Sequence, residues 1–311
     1  MEQGRKEESQ WELFKKDIKI GWTIFKANFK TFIGFESFIL LSSIFLTVIS
    51  IVILMILFFS ISQVVPVEPT PQIFFAMGIF TTVPNFVIVI ILSGCIYGLA
   101  YDLVASGDEY TEIKNAFWYF TRYWWQYLII GFLQGIISLI WSASESISQI
   151  ANYDQSNDPF ILNDPFILYN GLEDLVFMFL LITLSQIIYW SLSLLMPSLT
   201  ATGKFFNSFK ENFIILRTEK KRLAYLFTMI FLVASVPTII LSYIIYHEQA
   251  ASLPPAFLFV LWAFFTIFNI FVISPLMAII LTRVYNTSEI GKAHIAEREK
   301  ERKTIGIRSL W

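Results

Sequence analysis

The chain has 311 residues, of which 56% are apolar and only 15% charged, with a mean hydropathy of +0.64. A soluble domain carries about 25% charged residues, so this composition excludes an ordinary soluble globule and points to a polytopic membrane protein. The formal net charge of -2 excludes a broadly basic nucleic-acid binder, and the single cysteine, Cys95, excludes an intramolecular disulfide framework and a multi-cysteine metal site.

The first 30 residues are charged and amphipathic and hold no short apolar core with a small-residue cleavage site, so no cleavable signal is expected. Within them Trp11, Phe14, Ile18, Trp22, Phe25 and Phe29 recur at helical spacing, with Lys15, Lys19, Lys26 and Lys30 off the stripe. Aromatic and basic residues on different faces predict a helix lying in the headgroup plane.

A hydrocarbon core about 30 Å thick needs about 20 apolar residues at 1.5 Å rise each. The first such stretch covers about residues 38–61, and the second, with Pro84 and Asn85 inside it, about 73–101. A second amphipathic stripe follows at Tyr110, Ile113, Phe117, Phe120, Trp124 and Tyr127, leading into a third span at about 126–141.

Residues 142–174 then carry Glu145, Asp154, Asp158, Asp164, Glu173 and Asp174 and no base. They contain a tandem hexapeptide, NDPFILNDPFIL, from Asn157 to Leu168. Asp154, Ser156 and Asp158 alternate as in a calcium loop, but Pro159 stands where that loop needs glycine. The simpler reading is a duplication in a tolerant loop, with Phe160 and Phe166 dipping into the interface.

The fourth span covers about 175–197, and a third amphipathic stripe runs through Phe205, Phe209, Phe213 and Leu216. The fifth and sixth spans cover about 223–246 and 257–281, with Pro237 and Pro275 expected to kink them. The expected fold is therefore all-α. Six transmembrane helices and three interfacial amphipathic helices form three parallel hairpin repeats in a membrane domain, residues 1–285. A charged tail, 286–311, follows and is expected to be helical at EREKER.

Basic residues set orientation. Seven lie before the first span, two between the second and third, six between the fourth and fifth, and seven after the sixth, which accounts for all 22. The other connections hold none, so both termini are expected in the cytoplasm of a multi-pass cell-membrane protein. Eight acids (Glu68, Glu145, Asp154, Asp158, Asp164, Glu173, Asp174 and Glu248) fall on the outer side. The near-neutral total is thus the sum of two opposed faces.

The opening DIKIGWTIFKANFKTFI, the middle stretch LLMPSLTATGKFFNSFKENFIILR and the ending ISPLMAIILTRVYNTS resemble prokaryotic membrane proteins related to the glycerophosphoryl diester phosphodiesterase membrane domain. The resemblance rests on a proline ending the fourth span, an amphipathic helix centred on Ser208, and Pro275 and Tyr285 in the last span. Relatives often carry an acid after the fourth-span proline, where Ser198, Thr200 and Thr202 stand here, and many end in Tyr-Asp-Leu-Arg, where Asn286 follows Tyr285. The resemblance implies a six-helix membrane fold and little chemistry, because the phosphodiesterase activity of fused proteins belongs to a separate soluble domain.

The two histidines, His247 and His294, fall on opposite sides of the predicted membrane and outside the spans. No zinc-protease motif, serine triad within the membrane or phosphate loop follows from such spacing, and no catalytic residue, metal or cofactor is expected. Cys95 reads as a small packing residue. Asn85, Gln134, Gln186 and Asn269 are the polar residues at depth, as a substrate-lining cluster or as interhelical glue. Glu36 and Asp102, near cytoplasmic span ends, are candidate coupling carboxylates, or carboxylates solvated at the interface.

These features favour a non-catalytic protein, a scaffold or accessory component of a membrane transport or envelope system. Its expected partners are anionic headgroups on the cytoplasmic face and a membrane or cytoplasmic protein, with no nucleic acid. The alternative is a transporter or lipid-handling protein with a cavity between the hairpins.

Overall fold

The computed structural model describes residues 9–62, 71–105, 110–153, 180, 183–184, 187–237 and 255–305. Among them the backbone is almost wholly helical, with no strand. The tandem hexapeptide, Gln186 and His247 lie outside the described residues.

The first helix, α1 (Gln10–Ala27), starts at Ser9, whose side chain accepts from the Glu12 N–H. It ends at Asn28, which leaves helical geometry at φ -109° and ψ 19°. From this joint α2 (Phe29–Ser62) rises, apolar on every side, and residues 51–60 are exposed or only half-buried. A helix that is apolar all round suits a lipid-facing span.

Helix α3 (Pro71–Ala105) is the hub: α2, α4 (Ile113–Tyr153), α5 (Leu195–Thr202) and α9 (Ser274–Thr287) all pack on it. Lipid tails are as apolar as leucine, so aliphatic burial gives little drive to associate spans, and close packing and hydrogen bonds carry the contact. Gly94 and Gly98 show how. A Cβ on Gly94 would fall within the Tyr127 ring, and one on Gly98 within the Tyr119 ring, so two tyrosines of α4 lie directly against the α3 backbone.

After α5 come α6 (Phe205–Thr218) and α7 (Lys220–Ile230), joined at Glu219 with φ -100° and ψ 19°, much like the Asn28 joint. Helix α8 (Pro255–Phe268) leads through a π-helical turn, Asn269–Ile273, into α9, and α10 (Glu289–Ile305) makes the tail helical as expected.

Among the described residues, three helical stretches are long and apolar enough to cross a membrane: Phe29–Ser60, Val83–Ala105 and Ala263–Thr287, which overlap the expected first, second and sixth spans. The expected third span is part of one longer helix, α4, continuous with the amphipathic segment before it. In the expected fifth and sixth spans each proline is preceded by a π-helical turn: Phe231–Ser235 lies just before Pro237, and Asn269–Ile273 lies just before Pro275. Proline cannot donate to the preceding turn, and a wider turn takes up the mismatch.

The amphipathic helices do not bury their aromatic stripes whole. In α1 the buried line is Phe14, Asp17, Gly21 and Phe25, while Trp11, Trp22 and Phe29 are exposed. In α4 it is Ala116, Tyr119, Tyr123 and Tyr127, with Tyr110, Phe117 and Trp124 exposed. In α6 it is Ser208, Glu211, Asn212 and Ile215, with Phe213 exposed. In each, the face turned to the bundle carries only part of the aromatic stripe, together with polar groups such as Asp17, the Tyr119 hydroxyl and Glu211.

Candidate functional site

The buried polar residues of these helices meet the other helices in four clusters. The first centres on Asp17. It is 2% exposed, as is Arg222 at the base of α7, whose Nε donates to Asp17 Oδ2. Arg283 Nε of α9 donates to Oδ1 at 2.8 Å. Arg222 also reaches Thr287 Oγ1 at 2.9 Å and Glu219 at 3.4 Å. One carboxylate therefore ties α1 to α7 and α9. Buried ions persist only when paired and hydrogen-bonded, and this arrangement satisfies both carboxylate oxygens.

The second centres on Glu211 of α6. Its Oε2 accepts from the Ser198 hydroxyl at 2.6 Å and the Tyr285 hydroxyl at 2.8 Å, and its Oε1 lies 2.8 Å from His294 Nε2. It joins α5, α9 and the tail helix α10. In a serine triad the imidazole stands between hydroxyl and carboxylate so that it can take the hydroxyl proton. Here the carboxylate stands between, and Ser198 is fully buried, so the group is a tether.

The third is Asp102, whose Oδ1 accepts from Tyr119 at 2.6 Å and Oδ2 from Asn115 at 3.3 Å. Burial, and then the adjacent carboxylate, push the Tyr119 phenol above its usual range, which keeps it a donor. Nearby, Asn28 Oδ1 accepts from the Thr111 N–H at 3.1 Å and the Thr31 hydroxyl donates to Thr111 O at 3.0 Å. These bonds tie the α1–α2 joint to the entry of α4.

The fourth repairs a break in the expected fourth span. Helical residues 187–191 give way to a turn at 192–194 before α5 resumes. Asn212 inserts its amide there: Oδ1 accepts from the Leu194 N–H at 3.0 Å, and Nδ2 donates to Ser191 O at 2.7 Å. Gln134 Nε2 donates to Leu192 O at 3.1 Å. Irregular backbone at membrane depth requires such substitutes for its lost bonds.

Among the described residues, Asn85, Gln134 and Asn269 are not drawn into one cluster by direct bonds. Asn85 Nδ2 donates to Thr47 Oγ1 of α2 at 2.5 Å, Gln134 serves the break, and Asn269 opens the π-turn before α9 with its Oδ1 buried and unpaired. Of the two carboxylates, Asp102 is half-buried and tethered, while Glu36 is only 4% exposed and is not solvated at an interface.

Asp17, Glu211, Asn212 and Arg222 escaped the sequence reading. The asparagines left a trace, because Phe25-Lys26-Ala27-Asn28-Phe29 and Phe209-Lys210-Glu211-Asn212-Phe213 share one pattern, and in both the asparagine accepts a backbone N–H from another segment. The outward face of these helices pairs cations with tryptophans. Lys15 lies 5.2 Å from the Trp11 ring, Lys26 5.2 Å from Trp22, and Arg122 5.0 Å from Trp118.

Comparison with family models, curated proteins and solved structures finds no match for this chain.

Proposed function

We propose that the chain is a non-catalytic multi-pass membrane protein, a scaffold or accessory component of a membrane transport or envelope system, seated in the cytoplasmic leaflet. In this reading it crosses the membrane six times as three parallel hairpins, each entered by an amphipathic helix, with both termini cytoplasmic. The observation that carries it is the division of labour on those helices. Their polar residues turn inward and lock the span ends through Asp17, Glu211 and the Tyr119 bond to Asp102, while tryptophans paired with Lys15, Lys26 and Arg122 turn outward. Tryptophan suits the headgroup level and a basic residue there attracts anionic lipid. The relation to the glycerophosphoryl diester phosphodiesterase membrane domain fits this reading and is part of the proposal.

The test is lipid retention. Gentle extraction of the wild type is expected to carry anionic phospholipid or a partner protein with it. A quadruple variant, Lys15→Gln, Lys19→Gln, Lys26→Gln and Lys30→Gln, is expected to lose most of that lipid. A monomer that brings neither lipid nor protein through purification contradicts the anchoring role.

A second reading, a transporter or lipid-handling protein, is favoured by one observation: the interrupted backbone at 192–194, with π-turns at Phe231–Ser235 and Asn269–Ile273 in the next two predicted spans. Broken helices line substrate pathways in many transporters. Replacing Asn85, Gln134, Gln186 and Asn269 together by apolar residues, with no change in uptake or lipid binding by reconstituted protein, would dispose of it.

A further inference from the structure

Glu36 stands apart from the tethers that hold the cytoplasmic end. It lies eight residues beyond the Asn28 joint, about 12 Å up α2 at 1.5 Å per residue, and is 4% exposed. Its carboxyl group takes a hydrogen bond from Ser274, while its Oε1 is fully shielded and has no partner.

The helix facing it is short of donors. Helix α2 packs against the π-turn Asn269–Ile273, and Asn269 Oδ1 is likewise shielded and unpaired. Ser274 N–H is spent on Asn269 O in the π register. Pro275 brings no N–H, so neither Ile270 O, five residues back, nor Phe271 O, four back, receives a bond from that position.

A buried carboxylate oxygen with nothing to bind is costly in an apolar medium. A proton on Glu36 Oε1 would satisfy that oxygen and one acceptor beside it, and would leave open the Ile270 carbonyl that Pro275 cannot serve. A hard cation binds oxygens from several groups at once, and carbonyls at unwound turns serve this purpose in membrane helices. One carboxylate among neutral oxygens matches a single positive charge.

We infer that Glu36, Ser274 and Asn269, with the carbonyls ahead of Pro275, form a binding site for a small alkali cation between α2 and the interrupted sixth span. The bound ion fastens α2 to the π-turn. Helix α2 is otherwise the most outward-facing of the apolar helices, so occupancy sets how firmly the first span is held. This site goes beyond the anchoring role and does not rest on it.

The experiment uses the full purified chain in nanodiscs, melted in NaCl, KCl or choline chloride at equal ionic strength, together with equilibrium binding of radiolabelled Na+. Either Na+ or K+ is expected to raise the wild-type Tm by roughly 2–5 °C over choline, and the salt that does so identifies the ion. Glu36→Gln is expected to abolish the response. Asn269→Ala and Ser274→Ala, which leave the carboxylate in place, should each raise the half-saturating concentration about tenfold. They carry the test if Glu36→Gln does not fold. An equal response to choline, or the same alkali response in the wild type and in all three variants, overturns the site.

Discussion

Replacing Asp17 by alanine removes the carboxylate that two arginines share. At an effective dielectric of about 20, unit charges 2.8 Å apart, the Asp17–Arg283 separation, attract by about 6 kcal/mol before desolvation is counted. Desolvation has already been met in the folded state, so what the variant loses is compensation. Arg222 stays 98% buried with only Glu219 at 3.4 Å and Thr287 to satisfy it. Removing one partner of a buried pair costs about 3–5 kcal/mol, and for a chain of this size that lowers Tm by roughly 6–12 °C. The assay is a tryptophan-fluorescence melt of purified protein in one detergent. Arg283 is 16% exposed and can turn to water, so Arg222 bears most of the penalty. Asp17→Ala with Arg222→Met should therefore be more stable than Asp17→Ala alone. A single variant within 2 °C of wild type, or a double variant no better than the single, refutes the claim that this clamp is desolvated and holds α1 to α7 and α9.

Three other perturbations follow from the same geometry. Asn212→Leu orphans the Leu194 N–H and Ser191 O at once, at about 2–4 kcal/mol, and thermal melts should show it as one of the larger single losses. Gly98→Ala drives a methyl into the Tyr119 ring and should cost about 1–3 kcal/mol, with the Tyr119–Asp102 bond disturbed; a melt indistinguishable from wild type would mean that α3 and α4 are not this close. His294→Ala removes the tail's bond to Glu211 and should speed proteolysis within residues 289–305, while leaving the melting of the membrane core within about 1 °C.

Much of the architecture was legible because lipid is an undiscriminating solvent. Long apolar runs mark spans, and α2, α3 and the α8–α9 pair follow their hydropathy closely. The amphipathic helices announced themselves by 3–4 spacing. Their buried faces did not, because an aromatic stripe only in part coincides with the side that meets protein, which is chosen by partners far along the chain. Asp17 sits among lysines and reads as a solvated charge; Arg222 and Arg283, 205 and 266 residues away, make it a buried one. Arg222 reads as part of a positive-inside cluster, and Glu211 as an ordinary surface acid. Pro237 and Pro275 warned of irregular helix, and so did Pro197, which cannot donate to Ser193 O inside the break at 192–194; the asparagine that satisfies this break lies on α6 and could not be read locally. Glu36 lies close to a run of lysines and looked interfacial; the packing of α2 against the sixth span takes it out of reach of water.

The most direct test is cysteine labelling in intact cells. Cys95 is buried, and a Cys95→Ser background lets single cysteines report on sidedness. Six crossings with three inner amphipathic helices predict that Glu68→Cys, Asn157→Cys and Glu248→Cys react with an impermeant maleimide from outside. Lys19→Cys, Lys114→Cys, Lys221→Cys and Ala293→Cys should react only after the membrane is opened. Labelling of any of the last four in sealed cells, or protection of the first three, would contradict a cytoplasmic platform clamped beneath six spans.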